Sequence, residues 1–98
     1  MTREVSISVN DQPVQLDYFV QAFIDHTTGG MLEALEGTGE IKSADISLEG
    51  DKVTISVNKV AVPINRFVND IFRNTLVGMV SSLKGVGEAK RLKIAIKR

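Results

Sequence analysis

The second half of this chain repeats the first half at a fixed offset. When the sequence is shifted by 48 positions, residues 5–50 align with residues 53–98 without a gap, and 17 of the 46 aligned pairs are identical. Unrelated sequences of average composition would share roughly 3 identical pairs over that length. The repeat therefore predicts one small structural unit built twice, so that a pattern found in one copy can be checked in the other.

Each copy begins and ends with a segment in which apolar and polar side chains alternate. Residues 5–9 read Val-Ser-Ile-Ser-Val, and residues 53–57 read Val-Thr-Ile-Ser-Val. A period of two with β-branched residues is typical of a strand with one buried face. Residues 44–49 and 91–97 alternate in the same way, so each copy is predicted to contribute a first and a second strand.

A helix is predicted between the two strands of each copy, over 17–36 and 65–84. Residues suited to capping bracket both segments: Asp17 and Asn65 at the N-termini, Gly37 and Gly85 at the C-termini. Apolar or small side chains recur at helical spacing, which predicts one buried stripe on each helix. The stripes are Phe19, Val20, Phe23, Ile24, Thr27, Met31 and Leu35, and then Phe67, Val68, Ile71, Phe72, Thr75, Met79 and Leu83.

The predicted order of elements is βαβ-βαβ, and each strand has only one apolar face. Helices should therefore cover one side of an antiparallel sheet, which is an α+β fold. Gly50-Asp51 is typical of a tight hairpin between the copies. With right-handed crossovers, we expect a ferredoxin-like arrangement with the strands in the spatial order 4-1-3-2. Strands 5–9 and 53–57 would be central, and the lysine-rich last strand would be an edge.

An alternative interpretation adds one short strand to each copy. Residues 13–16 and 61–64 also alternate, and each segment follows residues suited to a turn, Asn10-Asp11-Gln12 and Asn58-Lys59-Val60. Each copy would then be ββαβ, with the extra strand before the helix. The pattern alone does not separate this arrangement from a loop.

The composition limits the class of protein. Apolar residues make up 43% of the chain and charged residues 24%, as in ordinary globular domains. We expect 1–98 to form a single domain of two tandem repeats, about 5–50 and 53–98. A domain of this size can form a hydrophobic core without disulfides or metal ions to stabilise it. The chain has no signal-peptide pattern and no apolar run of about 18 residues, so we expect a cytoplasmic protein without a membrane segment.

The sequence holds no set of residues typical of a catalytic or metal centre. Cysteine is absent, which excludes disulfides and thiolate chemistry. His26 is the only histidine, and no neighbouring residues complete a triad or a metal-ligand set. The glycine pairs Gly37-x-Gly39 and Gly85-x-Gly87 follow a helix instead of opening one, unlike a phosphate loop. We therefore expect no enzyme activity, no metal and no cofactor.

The clearest difference between the copies is that the second helix is more apolar. Three positions beside the stripe change: Thr28 becomes Leu76, Gly29 becomes Val77 and Leu32 becomes Val80. The apolar arc becomes wider than one sheet can cover, which is typical of an interface. We therefore predict a non-catalytic assembly or interaction domain, either a homodimer or a subunit docking on another protein. The predicted interface is Leu76, Val77, Met79, Val80 and Leu83.

Two further hypotheses follow from polar residues. Asn10, Asp11, Asn58 and Lys59 follow the first strands and are candidates for a small-ligand site in a regulatory module, although asparagine also suits turns without a ligand. A basic run near the end of the chain favours weak nucleic-acid binding; its residues are Lys90, Arg91, Lys93, Lys97 and Arg98. Nucleic acid is the less favoured partner, because 12 basic and 12 acidic residues cancel and the sheet lacks aromatic residues for stacking.

Overall fold

The computed structural model describes residues 4–35, 40–83 and 90–97. Its elements are β1 (Glu4–Val9), β2 (Gln12–Val14), α1 (Tyr18–Glu33), β3 (Ser43–Glu49), β4 (Lys52–Val57), β5 (Val60–Val62), α2 (Arg66–Ser81) and β6 (Arg91–Lys97). Every element of the first half recurs 48 residues later with the same length. The fold is α+β, an open antiparallel sheet of six strands with two helices.

The strands lie in the order β2-β1-β6-β3-β4-β5. The predicted ferredoxin-like order of 4-1-3-2 is therefore wrong, because the four long strands lie in the order 1-4-2-3. β6 pairs with both β1 and β3, so the lysine-rich strand is central and not an edge. The lysines of β6 lie on the solvent-exposed face of the sheet. An antiparallel sheet with one exposed face can carry charged side chains on that face in any strand, central or edge. The lysine content of a strand therefore does not show whether that strand lies at the edge of the sheet.

The edges are the short strands β2 and β5. They correspond to the extra strands of the alternative ββαβ interpretation, found at 12–14 and 60–62 and not at 13–16 and 61–64. Pro13 lies within β2 and Pro63 directly follows β5, and proline, which lacks an N–H donor, suits a sheet edge.

Two-residue turns join β1 to β2 and β4 to β5. The φ angles are 51° and 66° at Asn10 and Asp11, and 52° and 67° at Asn58 and Lys59. Positive φ at both central residues defines the type I′ turn, whose twist matches the twist of the flanking strands. The backbone conformation is therefore the same in the two copies, although the second turn residue differs.

The core lies between one face of the sheet and the helices. Along the four long strands, every second side chain is buried. α1 packs over β1 and α2 packs over β4. Within the described ranges, no helix is long and apolar enough to cross a membrane.

The predicted helix starts are confirmed. The backbone N–H of Val20 donates to Asp17 Oδ1, and that of Val68 donates to Asn65 Oδ1, both at 2.8 Å. These side chains satisfy donors that the first turn leaves unpaired. The helices end a few residues inside the predicted limits of 36 and 84. The predicted C-terminal glycines, Gly37 and Gly85, lie outside the described residues.

The buried stripe of each helix is rotated from the predicted one. The sheet-facing positions are 24, 28 and 32 in α1, and 72, 76 and 80 in α2. Of the predicted stripe, Phe19, Phe23, Phe67 and Ile71 are exposed. The apolar arc covers two sides of each helix, and periodicity does not tell which side faces the sheet. In α1 the sheet-facing side also carries Thr28 and Gly29, which lowers its apolar character.

Candidate protein interaction surface

A groove of about 460 Å³ lies between the two helices. Phe19, Val20, Phe23 and Ile24 of α1 line it together with Gly78 and Met79 of α2 and with Ser82 and Leu83, which directly follow α2. The N-terminal half of α1 therefore faces the C-terminal part of α2. We call this cleft the inter-helix groove.

Exposed apolar side chains lie on both helices, and two of them, Phe19 and Phe23, line this groove. Phe19 is 73% exposed, Phe23 51%, Phe67 71% and Ile71 46%. Phe67 and Ile71 occupy the positions equivalent to Phe19 and Phe23, 48 residues later. In a helix, positions 67, 71, 78 and 82 fall on the same side, so Phe67 and Ile71 lie on the side of α2 that carries Gly78 and Ser82. We call Phe19, Phe23, Phe67 and Ile71 the apolar patch.

The groove-facing side of each helix contains no charged residue, although Glu33 of α1 lies about 40° from Phe19 on the helical wheel, beside the patch. The groove-facing positions are 19, 20, 23, 27, 30, 31 and 34 in α1, and 67, 68, 71, 75, 78, 79 and 82 in α2. The charged residues of α2, including Arg66, Asp70 and Arg73, fall on its other side. A partner confined to these positions therefore buries no unpaired charge, which would otherwise be costly.

Gly30 and Gly78 lie at equivalent positions inside the two helices, and both are exposed. A Cβ atom added at either position would meet no atom within 4 Å, and neither residue has a positive φ. Glycine in a helix interior costs about 1 kcal/mol relative to alanine. Packing and backbone conformation within the described chain therefore give no reason for glycine at either position.

The five residues of the predicted interface do not all lie on the surface. Leu76 is 0% exposed and Val80 is 1% exposed, because both face the sheet. Val77, Met79 and Leu83 are half-buried and pack against the core. Met79 and Leu83 also line the inter-helix groove. Sequence reasoning assigned the patch to the core instead, although the excess width of the apolar arc was the signal that could have revealed it.

Asn10 and Asn58 connect the two copies. Asn10 Oδ1 accepts the backbone N–H groups of Lys90 at 2.8 Å and Arg91 at 3.0 Å. Asn58 Oδ1 accepts those of Lys42 at 2.7 Å and Ser43 at 3.1 Å. Each asparagine thus holds the start of the other copy's last strand.

The candidate ligand residues do not converge on one pocket. β1 and β4 run in opposite directions, because three successive antiparallel pairings separate them. The turn with Asn10 and Asp11 therefore lies at one end of the sheet, and the turn with Asn58 and Lys59 lies at the other. The hydrogen bonds of the asparagines give these residues a structural role at both ends.

Two of the basic residues of the last strand, Arg91 and Lys97, lie close to acidic residues. Arg91 Nη1 lies 2.8 Å from Asp11 Oδ2, and Arg91 also lies opposite Glu49 in the β3–β6 register. Lys97 lies opposite Glu4 on β1. Lys93 lies between two serines, Lys90 is exposed, and Arg98 is outside the described residues. Opposite charges on facing strands weaken any positive field at this face.

Two polar residues of α1 are buried. Asp25 is 2% exposed and Thr28 is 0% exposed. The Thr28 hydroxyl has no hydrogen-bond partner in the described structure, and the equivalent residue in α2 is Leu76. His26 is exposed. Among residues 4–35, 40–83 and 90–97, no three His, Asp or Glu side chains lie close enough to hold a metal ion.

Comparison with known proteins found no matching family model, no matching curated protein and no matching solved structure. The function is therefore argued from the surface itself.

Proposed function

We propose that this protein is a non-catalytic assembly domain that binds another protein surface through the apolar patch and the inter-helix groove. The observation that carries the proposal is the exposure of Phe19, Phe23 and Phe67, each more than half accessible. Aromatic side chains are enriched at the centres of protein interfaces, where they supply large buried areas. The proposal keeps the predicted function but moves the surface from the buried Leu76 and Val80 to the outer side of the helices.

The size of the patch supports this proposal. A fully exposed aromatic side chain presents about 200 Å², so the three phenylalanines at their observed exposures present roughly 400 Å². The largest apolar patch of a monomeric protein is about 300–600 Å² and is often functional. Ile71 and the half-buried residues of the groove add to this area.

Site-specific photocrosslinking tests the proposal. A photoreactive phenylalanine analogue replaces Phe19 or Phe67, and the matched control carries it at Thr54, an exposed residue on the open face of the sheet. We expect cross-links to a defined peptide of a partner chain from positions 19 and 67, and few from position 54. Mass spectrometry of the products locates both ends of each cross-link.

The cross-linking yield at the control position shows whether a partner binds specifically at the apolar patch or cross-links equally to any exposed surface. Equal yields from Thr54 and from the patch would show that the helix side is not a preferred surface and would overturn the proposal. Failure of positions 19 and 67 to cross-link any protein, with the purified chain or in cells, would also overturn it.

A further inference from the structure

We infer that the occupant of the apolar patch is a second copy of this chain, and that Gly30 and Gly78 are the points where the partner's helices approach most closely. The inference rests on the proposed interaction function and adds the identity of the partner and the contact points. Three independent features of the described chain support it: the symmetry of the patch, its area and its glycines.

The patch is repeated around an internal two-fold axis. In the antiparallel pairing of β3 with β6, Ile46 lies opposite Ile94, which is the equivalent residue of the other copy. This pairing relates the equivalent elements of the two copies by a two-fold rotation. An axis through this pair and normal to the sheet relates Phe19 to Phe67 and Phe23 to Ile71. If two chains pack helix layer to helix layer about a perpendicular two-fold axis, each half of the patch meets a like half of the partner. Such an isologous contact is self-complementary, whereas an unrelated partner would need a matching duplication to use both halves equally.

The area is adequate for a stable dimer. A standard interface covers about 800 Å² on each partner. At their observed exposures the three phenylalanines supply roughly 400 Å², about half of that area, and the groove-facing positions of both helices continue the surface.

The glycines point to close helix approach. Each is exposed, faces open space and lies on the side of the helix that carries the patch. Residues without a side chain allow two helix backbones to come closer than larger residues do. The single chain does not explain why glycine occurs at both equivalent positions. The backbone of a second copy that lies against each glycine would explain it.

The test combines sedimentation equilibrium with substitutions that fill the open space. Gly30→Leu and Gly78→Leu place a large side chain where the partner is proposed to lie. Thr54→Leu is the control, because Thr54 is exposed on the open face of the sheet, opposite the helices. We expect the wild-type protein to sediment as a dimer of the 10.7 kDa chain, and each glycine variant to raise the dimer dissociation constant at least about tenfold, equivalent to about 1.4 kcal/mol. The control should leave it unchanged.

Thermal unfolding separates lost association from misfolding. Leucine favours a helix more than glycine does, so the dissociated variants should keep their helical circular dichroism and melt cooperatively. A wild-type protein that stays monomeric at all concentrations would overturn the second copy as the partner. Cross-links from positions 19 and 67 to a different protein would in that case still support the proposed function. A dimer that both glycine variants leave intact would also overturn the inference, because the chains would then associate elsewhere.

Discussion

Ile46 and Ile94 lie directly opposite each other in the ladder between β3 and β6. They occupy the same position in the two copies, 48 residues apart, and each is 2% exposed. In an antiparallel pair, equivalent residues that face each other mark a local two-fold axis. The copies are therefore joined at the point where their symmetry axis crosses the sheet.

We predict that Ile46→Ala and Ile94→Ala each lower the free energy of unfolding by about 2–5 kcal/mol, because each leaves a cavity in the core. The two losses should be similar in size and should not add, since neighbouring side chains share one packing environment. Urea denaturation of both single variants and the double variant measures this. Lys93→Ala, on the open face of β6 next to Ile94 in sequence, should change stability by less than about 0.5 kcal/mol. Strict additivity would contradict the prediction.

The turn asparagines should contribute through both their backbone and their side chains. Asn58→Gly keeps the positive φ but removes the side chain that accepts two N–H groups and donates to Glu40 O at 2.8 Å, so we expect a loss of about 1–2 kcal/mol. Asn58→Ala should cost about 1 kcal/mol more, because alanine disfavours the left-handed region. The same pair of variants at Asn10 should follow the same order in chemical denaturation. Equal stability of the glycine and alanine variants would show that the backbone conformation carries no cost.

Lys59→Gly should stabilise the protein. Lysine at a φ of 67° is in a region that side chains with a Cβ disfavour, and glycine is preferred at the second position of a type I′ turn. After the extra freedom of glycine in the unfolded chain is subtracted, we expect a gain of about 0.5 kcal/mol, or roughly 2–4 °C in Tm.

Asp11→Gly provides the comparison within the same molecule. Asp11 occupies the equivalent position, with a φ of 66°, but its carboxylate also pairs with Arg91. Its replacement should gain less, because an exposed ion pair worth about 0–1 kcal/mol is lost. Calorimetry of both variants tests the order, and a larger gain at Asp11 would contradict it.

Thr28→Val should raise stability by about 1 kcal/mol, or roughly 4–8 °C in Tm. The hydroxyl is fully buried without a hydrogen-bond partner in the described structure, and valine keeps nearly the same shape without that polar atom. Thr28→Ser keeps the hydroxyl and removes the methyl group, so it should lower Tm. If valine lowers Tm as well, the hydroxyl makes a favourable contact.

The sequence was sufficient to predict the four long strands, the two helices and their order, because the alternation in residues 5–9 and 53–57 appears twice and one copy supports the other. The short edge strands were predicted only as an alternative to a loop. The helix starts were predictable from Asp17 and Asn65, which act locally. Strand order was not, because the apolar pattern of residues 92–96 fits a central strand and an edge strand equally well. Only the pairing of β6 with β1 and β3 decides between them, and that pairing joins residues distant in sequence.

The candidate site was predictable in kind but not in position. The excess apolar surface of the helices was visible in the sequence, and it led to the prediction of an interface. Which residues were exposed depended on the rotation of each helix against the sheet. Phe67 and Leu76 are equally suited to either side by composition, and only the packing over β4 assigns Leu76 to the core and Phe67 to the surface.

The interleaved strand order also determines when the chain can fold during its synthesis. β1 and β3 belong to the first copy, yet they are separated in the sheet by β6, and Asn10 accepts the N–H of Lys90, 80 residues further along the chain. A ribosome has therefore made the whole first copy before the strand that completes its sheet exists. Until residue 97 emerges, the inner edges of β1 and β3 lack their partner, and such edges are prone to pair with other chains. We therefore expect the chain to be most prone to aggregation during its synthesis, before β6 is available to cover these edges.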